Sequence, residues 1–183
     1  MLDRSFFKDL NTERLLLRNI SLEDADFFFQ ELSNPIVWKY MIDEEPFRNI
    51  DDAIKWINVY NNEVIAHNRW VIIEKESSKR LGTCGFHNWD KRNNRVEIGC
   101  DLLPEYWGKG YMYEALSKAI DFAFHEMKAN RISAHVHTKN SRSMKLLEKL
   151  GFKKEGLLRE EYFFRGKYYD HFLYSLLKKE SKF

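Results

Sequence analysis

The sequence predicts one domain of mixed α/β structure, in which helices cover a mixed β-sheet. Apolar residues recur at helical spacing near the start of the chain and again after the glycine-rich segment WGKGYM. From Trp70 onward, short apolar or alternating runs bounded by polar turns are typical of strands. A length of 183 residues lies in the usual range of one domain, so we expect residues 1–183 to form a single domain.

The front of the chain is predicted to hold one strand and two helices. The leucine-rich run Thr12–Ile20 favours a strand, and Ser21 begins a Ser-Leu-Glu-Asp segment that is typical of a capped helix start. Asn34-Pro35 ends this helix, and a second one is predicted from Asp51. The apolar positions are Ala25, Phe28, Phe29 and Leu32 in the first helix, and Ile54, Ile57 and Val64 in the second.

Three strands are predicted in the middle of the chain. WVIIEK begins at Trp70, LGTCGFHNW follows a turn over Glu76–Arg80, and Arg95–Leu103 follows a polar turn at Asp90–Asn94. Pro104 ends the third strand, which alternates. Its two faces hold Val96, Ile98, Cys100 and Leu102 on one side, and Arg95, Glu97, Asp101 and Leu103 on the other.

The second half of the chain alternates strand and helix before a final hairpin. The helix after the glycine segment is marked by Met112, Ala115, Leu116, Ala119, Ile120, Ala123 and Met127. RISAHVH is predicted as a strand, Asn140–Ser143 opens a short helix, and Gly151 closes it. A further strand starts at Phe152, and the terminal EYFFRGKYYDHFLYSLL predicts a hairpin around Arg165-Gly166-Lys167.

The composition excludes several classes of protein. Thirty basic and 28 acidic residues are spread along the chain and give a net charge of +2. Neither this small charge nor its distribution indicates binding to nucleic acid or to an anionic membrane. No apolar stretch reaches the length of a membrane span, and MLDRSFFKDL has no signal-peptide core, so we expect a cytoplasmic protein. Cys84 and Cys100 are expected to be reduced and buried.

The glycine segment indicates a phosphate-binding turn, although glycines at a tight turn are an equal alternative on spacing alone. Backbone N–H groups between a strand and a helix start suit a diphosphate. A Walker loop fails because Gly110, not a serine or threonine, follows Lys109. A dinucleotide fingerprint fits poorly, since Tyr113 stands where a third glycine is needed. Coenzyme A fits a diphosphate turn followed by a second strand and an Asn-led loop.

Several segments together resemble the GNAT acetyltransferases, in particular the branch of the RimJ/RimL-type N-terminal acetyltransferases of ribosomal proteins. The resemblance covers nearly the whole chain and is far more specific than the glycine loop. It rests on TERLLLR (12–18), LEDADFF (22–28), LGTCGF (81–86), VEIGCDLLPEYWGKGYMYEAL (96–116), NSRSMKLLEKLGFKKEG (140–156) and the terminal YYDHFLYSLL. It implies the GNAT fold, a mostly antiparallel sheet with two splayed parallel strands and flanking helices.

The resemblance also implies that acetyl-coenzyme A binds where the two strands splay. The residues expected on the diphosphate through backbone N–H groups are Trp107, Gly108, Lys109, Gly110, Tyr111 and Met112. The family more often has Gln or Arg at the first of these positions and Gly or Ala at the last. Those expected along the pantetheine arm are Cys100, Asp101, Leu102, Leu103 and the Asn140 side chain, with Ser143 nearby. Lys109 and Arg142 are candidates for phosphate contacts, with solvated surface as the alternative.

Acetyl transfer needs a neutral amine and a proton for the departing thiolate. Glu97 is the candidate general base, with a cross-strand ion pair to Arg95 or Lys91 as the alternative. Leu147 stands where many GNAT enzymes have a tyrosine acid, so Ser143 is the candidate acid, with helix capping as the alternative. His87 is a second candidate base.

Other residues have open interpretations. His135 and His137 lie on one face of a strand and would bind a metal ion if a third ligand came near, but packing or exposure is the alternative, and no metal is expected. Aromatic side chains of the front segment are candidates for an acceptor groove or for the core: Phe27, Phe28, Phe29, Trp38, Tyr40 and Trp56.

The predicted function is therefore acetyl transfer from acetyl-coenzyme A to a primary amine, with the N-terminus of a protein or a small amine such as a polyamine, amino sugar or drug as acceptor. A non-catalytic acetyl-coenzyme A sensor and a structural protein that has lost the cofactor are the alternatives from other classes. The sequence leaves the oligomeric state open, a homodimer included.

Overall fold

The computed structural model describes residues 6–41, 45–61 and 67–183. Within these residues eight strands form one sheet in the order β1-β2-β3-β4-β5-β6-β8-β7. The strands are β1 (Leu10–Asn11), β2 (Leu15–Asn19), β3 (Asn68–Glu74), β4 (Arg80–Asp90), β5 (Arg95–Leu102), β6 (Arg131–His137), β7 (Lys153–Phe164) and β8 (Lys167–Leu177). This arrangement confirms the predicted mixed sheet.

The sheet is open at its centre. β5 and β6 pair in parallel, and the neighbouring strand pairs elsewhere in the described residues are antiparallel. The parallel pairing covers only Arg95–Glu97 against Arg131–Ser133. Beyond Glu97 and Ser133 the two strands part, which confirms the expected splay and leaves a gap between them.

Helices cover both faces of the sheet. They are α1 (Ala25–Ser33), α2 (Pro35–Trp38), α3 (Ile50–Tyr60), α4 (Tyr111–His125) and α5 (Ser141–Leu150). One core cluster lies under α4 and α5 and includes Leu116, Ile120 and Tyr174. A second, smaller cluster lies under α1 and α3 and includes Phe28, Ile57 and Val71. The two faces of the gap therefore open toward different sets of helices.

The front helices follow their predicted start and stop signals. The capping box is present, since Asp24 accepts a hydrogen bond from the Ser21 N–H at 2.9 Å. Asn34 ends α1 as predicted, but its side chain also caps the short helix α2, which was not predicted. Proline is tolerated in the first turn of a helix, so Pro35 both ends one helix and begins the next. The predicted core position Val64 lies outside the described residues.

The last two strands form one long hairpin. Arg165 and Gly166 have φ of 48° and 77°, the left-handed values of a two-residue hairpin turn. The separate strand expected from Phe152 is continuous with the hairpin, because β7 runs from Lys153 to Phe164 across a bulge between Leu158 and Tyr162. No helix in the described part of the chain is both long and apolar enough to cross a bilayer.

The two cysteines differ in burial. Both are free thiols, and they face each other across β4 and β5. Cys84 is buried as predicted, but Cys100 is only half-buried, so that prediction was wrong for Cys100. The reason is its position on β5 beyond the last residue paired with β6, where no strand covers the open edge.

Candidate active site

The glycine loop joins the end of β5 to the start of α4. Gly108 and Gly110 have φ of 76° and 81°, in the left-handed region that glycine adopts without a steric cost. The first hydrogen bond of α4 runs from the Glu114 N–H to the Gly110 carbonyl, 3.1 Å. The N–H groups of Tyr111 and Met112 therefore have no partner within the helix. Free N–H groups at the positive end of a 15-residue helix fit the diphosphate of coenzyme A.

Arg14 of the chain's N-terminal part braces this loop. Its Nε donates to Glu114 Oε2 at 2.7 Å, and its Nη1 donates to the Lys109 carbonyl at 3.2 Å. The guanidinium also lies over the Tyr111 ring, 4.6 Å from the centroid. Glu114 in turn accepts a hydrogen bond from the Thr12 hydroxyl at 2.6 Å. These contacts tie the glycine loop and the first turn of α4 to the N-terminal part of the chain.

The gap edge of β5 offers backbone groups to a ligand. The Leu103 N–H donates to the Leu81 carbonyl on the β4 side, 3.0 Å away. Backbone groups of consecutive strand residues point in opposite directions, so those of Cys100 and Leu102 point into the gap, and those of Asp101 point toward β4. The Leu102 carbonyl already accepts from Trp107 Nε1 at 2.7 Å. Of the four residues predicted along the pantetheine arm, Cys100 therefore offers its N–H and its carbonyl to the gap, and Leu102 offers its N–H.

The start of α5 lies on the other side of the gap. Asn140 Oδ1 accepts a hydrogen bond from the Ser143 N–H at 3.2 Å and so caps the helix, which leaves the Asn140 amide N–H groups to donate. The described residues provide no hydrogen-bond partner for the Ser143 hydroxyl, so the capping role considered for Ser143 belongs to Asn140. Leu147, at the position of the missing tyrosine, is 4% exposed and lies in the core.

Two cations border the loop. The Arg142 guanidinium lies 4.2 Å from the centroid of the Trp107 ring, and Lys109 Nζ lies 5.5 Å from that of Tyr106. Both side chains are exposed. A cation over an aromatic ring keeps its charge available while its position is restricted. The predicted phosphate contacts from Arg142 and Lys109 are therefore compatible with their positions.

Glu97 lies where β5 and β6 part, and its partners differ from those considered in the sequence. Its Oε1 is 3.1 Å from His87 Nε2 and 3.4 Å from His135 Nδ1, and its Oε2 accepts from Asn88 Nδ2 at 3.2 Å. Arg95, the ion-pair partner considered for Glu97, pairs with Asp90 instead.

We refer to Glu97, His87, Asn88 and His135 as the Glu97 cluster. A β-bulge in β4 brings His87 and Asn88 into it. The register of β4 shifts between His87 and Asp90, and Asn88 adopts a left-handed φ of 52°, which asparagine tolerates. Burial raises the pKa of Glu97, but the hydrogen bond and positive charge of His87, with that of His135, outweigh it. The net pKa of Glu97 is below its ordinary value, so a carboxylate stands at the gap at neutral pH.

The two histidines of β6 have different neighbours. His135 Nδ1 is 3.2 Å from the Tyr162 hydroxyl, and His137 packs edge-on against His171, with 5.6 Å between ring centroids. In the described ranges no group of three or more His, Cys, Asp or Glu side chains is arranged to hold a metal ion. Burial first, and then His137 and His135, lower the pKa of His171 to about 4, so His171 is neutral at pH 7.

A buried polar network continues along the same face of the sheet. Arg69 donates to the Thr83 hydroxyl at 3.0 Å and forms an ion pair with Asp101, and the Thr83 hydroxyl donates to Glu31 Oε2 at 3.0 Å. Glu31 is fully buried in α1. Burial first, and then the charge of Asp101, raise the pKa of Glu31 well above its ordinary value. The network ties α1 to β3, β4 and β5 beside the gap.

Aromatic side chains of the front segment divide between the core and the gap. Phe28 is fully buried and Trp56 packs on Tyr60, as expected for core residues. Trp38 instead contacts Phe164 at the hairpin turn, 5.4 Å between centroids, and Tyr40 contacts His137 at 5.3 Å. Arg165 also pairs with Glu45 at 2.8 Å. The segment after α1 and the hairpin thus meet over the α1/α3 face of the gap.

Sequence reasoning missed two parts of this site. Arg14 was not assigned a role, because its partners Lys109 and Glu114 are about a hundred residues away along the chain. The contact of His135 with Glu97 was also missed. The alternation of β5 and β6 places Glu97, His135 and His137 on one face, which is the signal that could have found it.

Comparison with known proteins gives consistent results. A family model described as "Acetyltransferase (GNAT) domain" matches residues 14–153. An uncharacterized N-acetyltransferase, p20, of Bacillus licheniformis is 45% identical over 173 residues, covering 93% of this chain and 97% of that protein. A putative ribosomal N-acetyltransferase, YdaF, of Bacillus subtilis is 36% identical over 99 residues, covering 54% of each chain.

Solved structures include a spermidine N-acetyltransferase from Vibrio cholerae in complex with CoA and spermine. It superposes with a TM-score of 0.82 at 25% sequence identity and covers 92% of this chain and 98% of its own.

Proposed function

Because the chain belongs to the GNAT acetyltransferase family and is an acetyl-coenzyme A-dependent N-acetyltransferase, we propose that its acceptor is the N-terminal amine of a protein, acetylated by direct transfer while both substrates are bound. The observation that supports this best is the position of Glu97 at the point where β5 and β6 part. The diphosphate loop lies on one side of the gap, and an amine can approach Glu97 from the α1/α3 face.

Direct transfer is supported by the absence of a suitable nucleophile among the cysteines. Burial raises the pKa of Cys84 to about 12 and also raises that of Cys100. A thiol with a raised pKa is a poor nucleophile at neutral pH. An acetylated enzyme formed on either cysteine is therefore disfavoured.

Different residues around the gap bind coenzyme A and transfer protons during the reaction. The N–H groups from Gly108 to Met112 hold the diphosphate, the backbone of Cys100 and the Asn140 amide hold the pantetheine arm, and Arg142 contributes charge. The Trp107 N–H, which was expected to join them, already donates to the Pro104 carbonyl at 3.1 Å. The bound thioester supplies an acetyl carbonyl that the amine nitrogen attacks as the carbon–sulfur bond breaks. Ser143 donates a proton to the departing sulfur, and the Glu97 cluster receives the proton of the amine.

The carboxylate of Glu97 draws a protonated amine to the gap. The RimJ/RimL-type motifs and the partial match to a putative ribosomal acetyltransferase support a polypeptide N-terminus as this amine. A polyamine is the second candidate, because the Vibrio cholerae enzyme that acts on spermidine shares the fold over nearly its whole length.

The acceptor is tested by following thiol release from acetyl-coenzyme A with N-terminal peptides, spermidine, amino sugars and amino acids, beside calorimetric binding of coenzyme A. We expect turnover with peptides bearing a free N-terminus and none with N-terminally blocked controls. Turnover with spermidine alone would replace the first acceptor by the second. Coenzyme A binding without turnover on any amine would indicate a sensor instead of an enzyme.

The roles of Glu97 and Ser143 are tested in the same assay. Ser143→Ala should lower kcat about tenfold with little change in the affinity for coenzyme A, because the hydroxyl is needed only as the sulfur departs. Glu97→Gln should likewise lower kcat more than it changes coenzyme A binding. Unchanged kcat in both variants would contradict these assignments.

A further inference from the structure

We propose that His135 is the group that takes the proton from the acceptor amine, and that Glu97 is a positioning residue that orients the His135 ring. This inference rests on the proposed function and names the base within the Glu97 cluster. His135 lies two residues beyond Ser133, the last residue of β6 that pairs with β5. Its side chain, on the Glu97 face of the sheet, is 22% exposed and borders the gap.

The two ring nitrogens of His135 have different surroundings. Nδ1 is 3.2 Å from the Tyr162 hydroxyl and 3.4 Å from Glu97 Oε1. Nε2 has no hydrogen-bond partner in the described part of the chain. A carboxylate and a hydroxyl oxygen beside Nδ1 favour the tautomer that carries hydrogen there, which leaves the lone pair on Nε2. His135 is therefore oriented to accept a proton at Nε2.

Glu97 itself is less suited to be the base. Its side chain is only 13% exposed, and both carboxylate oxygens are engaged by donors, Oε1 by His87 and His135 and Oε2 by Asn88. The pKa of Glu97 lies below its ordinary value because these partners outweigh burial, so its affinity for a proton is low. The carboxylate can stabilise an imidazolium at His135 without taking the proton.

His87 is also less suited than His135. Its Nε2 is already directed at Glu97, 3.1 Å away. Its other nitrogen, Nδ1, lies over the backbone of β5, because a methyl group placed on Gly99 would lie 3.8 Å from it. β4 is also separated from the gap by β5. Neither nitrogen of His87 is therefore free to meet an amine at the gap.

The ionisable groups around His135 come from four strands. Glu97 on β5 is the nearest charge, with His87 on β4 behind it. Tyr162 on β7 contacts Nδ1, and His171 on β8 is neutral at pH 7 because its pKa is lowered to about 4 by burial and by its histidine neighbours. A proton gained at Nε2 is therefore balanced by the negative charge of Glu97.

The proton transfer balances as follows. One N–H bond of the acceptor ammonium breaks, its electron pair stays on nitrogen as the nucleophilic lone pair, and the proton bonds to His135 Nε2. The nitrogen then bonds to the acetyl carbonyl carbon while the carbon–sulfur bond breaks and leaves its electron pair on sulfur. The second amine proton replaces the one that Ser143 gives to sulfur, and His135 releases its proton to water.

The tautomer can be measured without any substrate. Long-range ¹H–¹⁵N spectra of histidine-labelled protein report which ring nitrogen carries hydrogen, and His135→Asn assigns the signal. We expect hydrogen on Nδ1 and a bare Nε2 in the wild type at pH 8, and a shift toward hydrogen on Nε2 in Glu97→Leu. Hydrogen on Nε2 in the wild type would overturn the proposal.

Kinetics test the assignment independently. His135→Asn should lower kcat/KM for the amine about 10²- to 10³-fold and flatten the acidic limb of its pH profile, with coenzyme A binding unchanged. Glu97→Gln, which keeps an acceptor oxygen beside Nδ1, should cost about tenfold less than His135→Asn. His125→Asn, on the exposed side of α4, is the matched control and should keep wild-type activity.

Two results would overturn the proposal in favour of a neighbouring residue. An unchanged acidic limb in both His135→Asn and His135→Gln would exclude His135 as the base. A loss in Glu97→Gln equal to that in His135→Asn, with the Nδ1–H tautomer intact, would make Glu97 the base. Absence of turnover by the wild type on every amine would instead refute the proposed function, which the tautomer measurement does not depend on.

Discussion

Arg142 lies over the indole ring of Trp107, with 4.2 Å between its guanidinium carbon and the ring centroid. Trp107 follows β5, and Arg142 stands in the first turn of α5, which follows β6. The contact therefore joins the two segments that leave the parted strands. Because Trp107 is also bonded through Nε1 to the Leu102 carbonyl at 2.7 Å, the position of Arg142 is fixed relative to β5.

Arg142→Ala should weaken coenzyme A binding about tenfold, about 1.4 kcal/mol, since it removes an exposed cation that its contact with Trp107 holds beside the phosphate site. Isothermal titration calorimetry with coenzyme A measures this. Lys145→Ala, on the exposed face of the same helix, is the control and should bind like the wild type. Equal losses in both variants would mean that only the general positive charge of α5 matters.

Arg14→Gln should raise the Kd for coenzyme A about fivefold by releasing the loop carbonyl of Lys109 and the contact with Glu114. A double-mutant cycle with Glu114→Gln should be non-additive, because both variants remove one shared contact. Lys8→Met removes an exposed ion pair with Glu126 far from the loop and should have no effect. Additive losses in the binding free energy of coenzyme A would mean that Arg14 and Glu114 do not act through one shared contact.

Glu31→Gln should stabilise the protein, and more so at pH 8 than at pH 5. The folded pKa of Glu31 is raised by burial and by Asp101, so the folded state binds a proton that the unfolded state loses above its ordinary pKa, and wild-type stability falls as pH rises. Glutamine cannot ionise and therefore removes this pH-dependent loss. Urea unfolding at both pH values measures the difference, and a pH-independent effect would contradict it.

His171 should make the protein sensitive to mild acid. Its pKa is lowered from 6.5 to about 4 by burial and by His137 and His135, so the unfolded state binds a proton more readily between these values. His171 therefore leaves the free energy of unfolding undiminished above pH 6.5 and lowers it by up to about 3 kcal/mol as the pH drops to 4. Urea unfolding should show a shallower decline in His171→Gln, whereas exposed His125→Gln should follow the wild type.

The sheet and its helices were largely predictable, because the apolar periodicity of β5, α4 and α5 is regular and their end signals are strong. Pro104, the glycine loop and Gly151 act through local backbone geometry, which sequence shows directly. The short helix α2 was not predicted, since Pro35 can end one helix and begin another and only the packing of Trp38 against Phe164 decides between these roles.

The partners of the site residues were less predictable than their positions. The sequence assigned Glu97 to the strand that leads to the glycine loop, but its neighbours His87 and His135 come from β4 and β6, and a bulge at Asn88 determines the first of them. A bulge depends on the pairing of two strands, so it has no simple signal in one strand. The contact of Arg14 with Glu114 could not be predicted either, because it joins two residues that are far apart in the sequence.

The two sides of the gap are encoded in separate stretches of the chain. The residues proposed to hold coenzyme A lie between positions 100 and 143, whereas the distal half of the β7–β8 hairpin begins only after the bulge at Leu158–Tyr162. This distal half contacts the front segment through Phe164 with Trp38 and Arg165 with Glu45. Replacing the distal half of this hairpin by that of a relative should therefore change the preferred acceptor amine and leave coenzyme A binding unchanged. Relatives that acetylate different amines can arise in the same way from one fold.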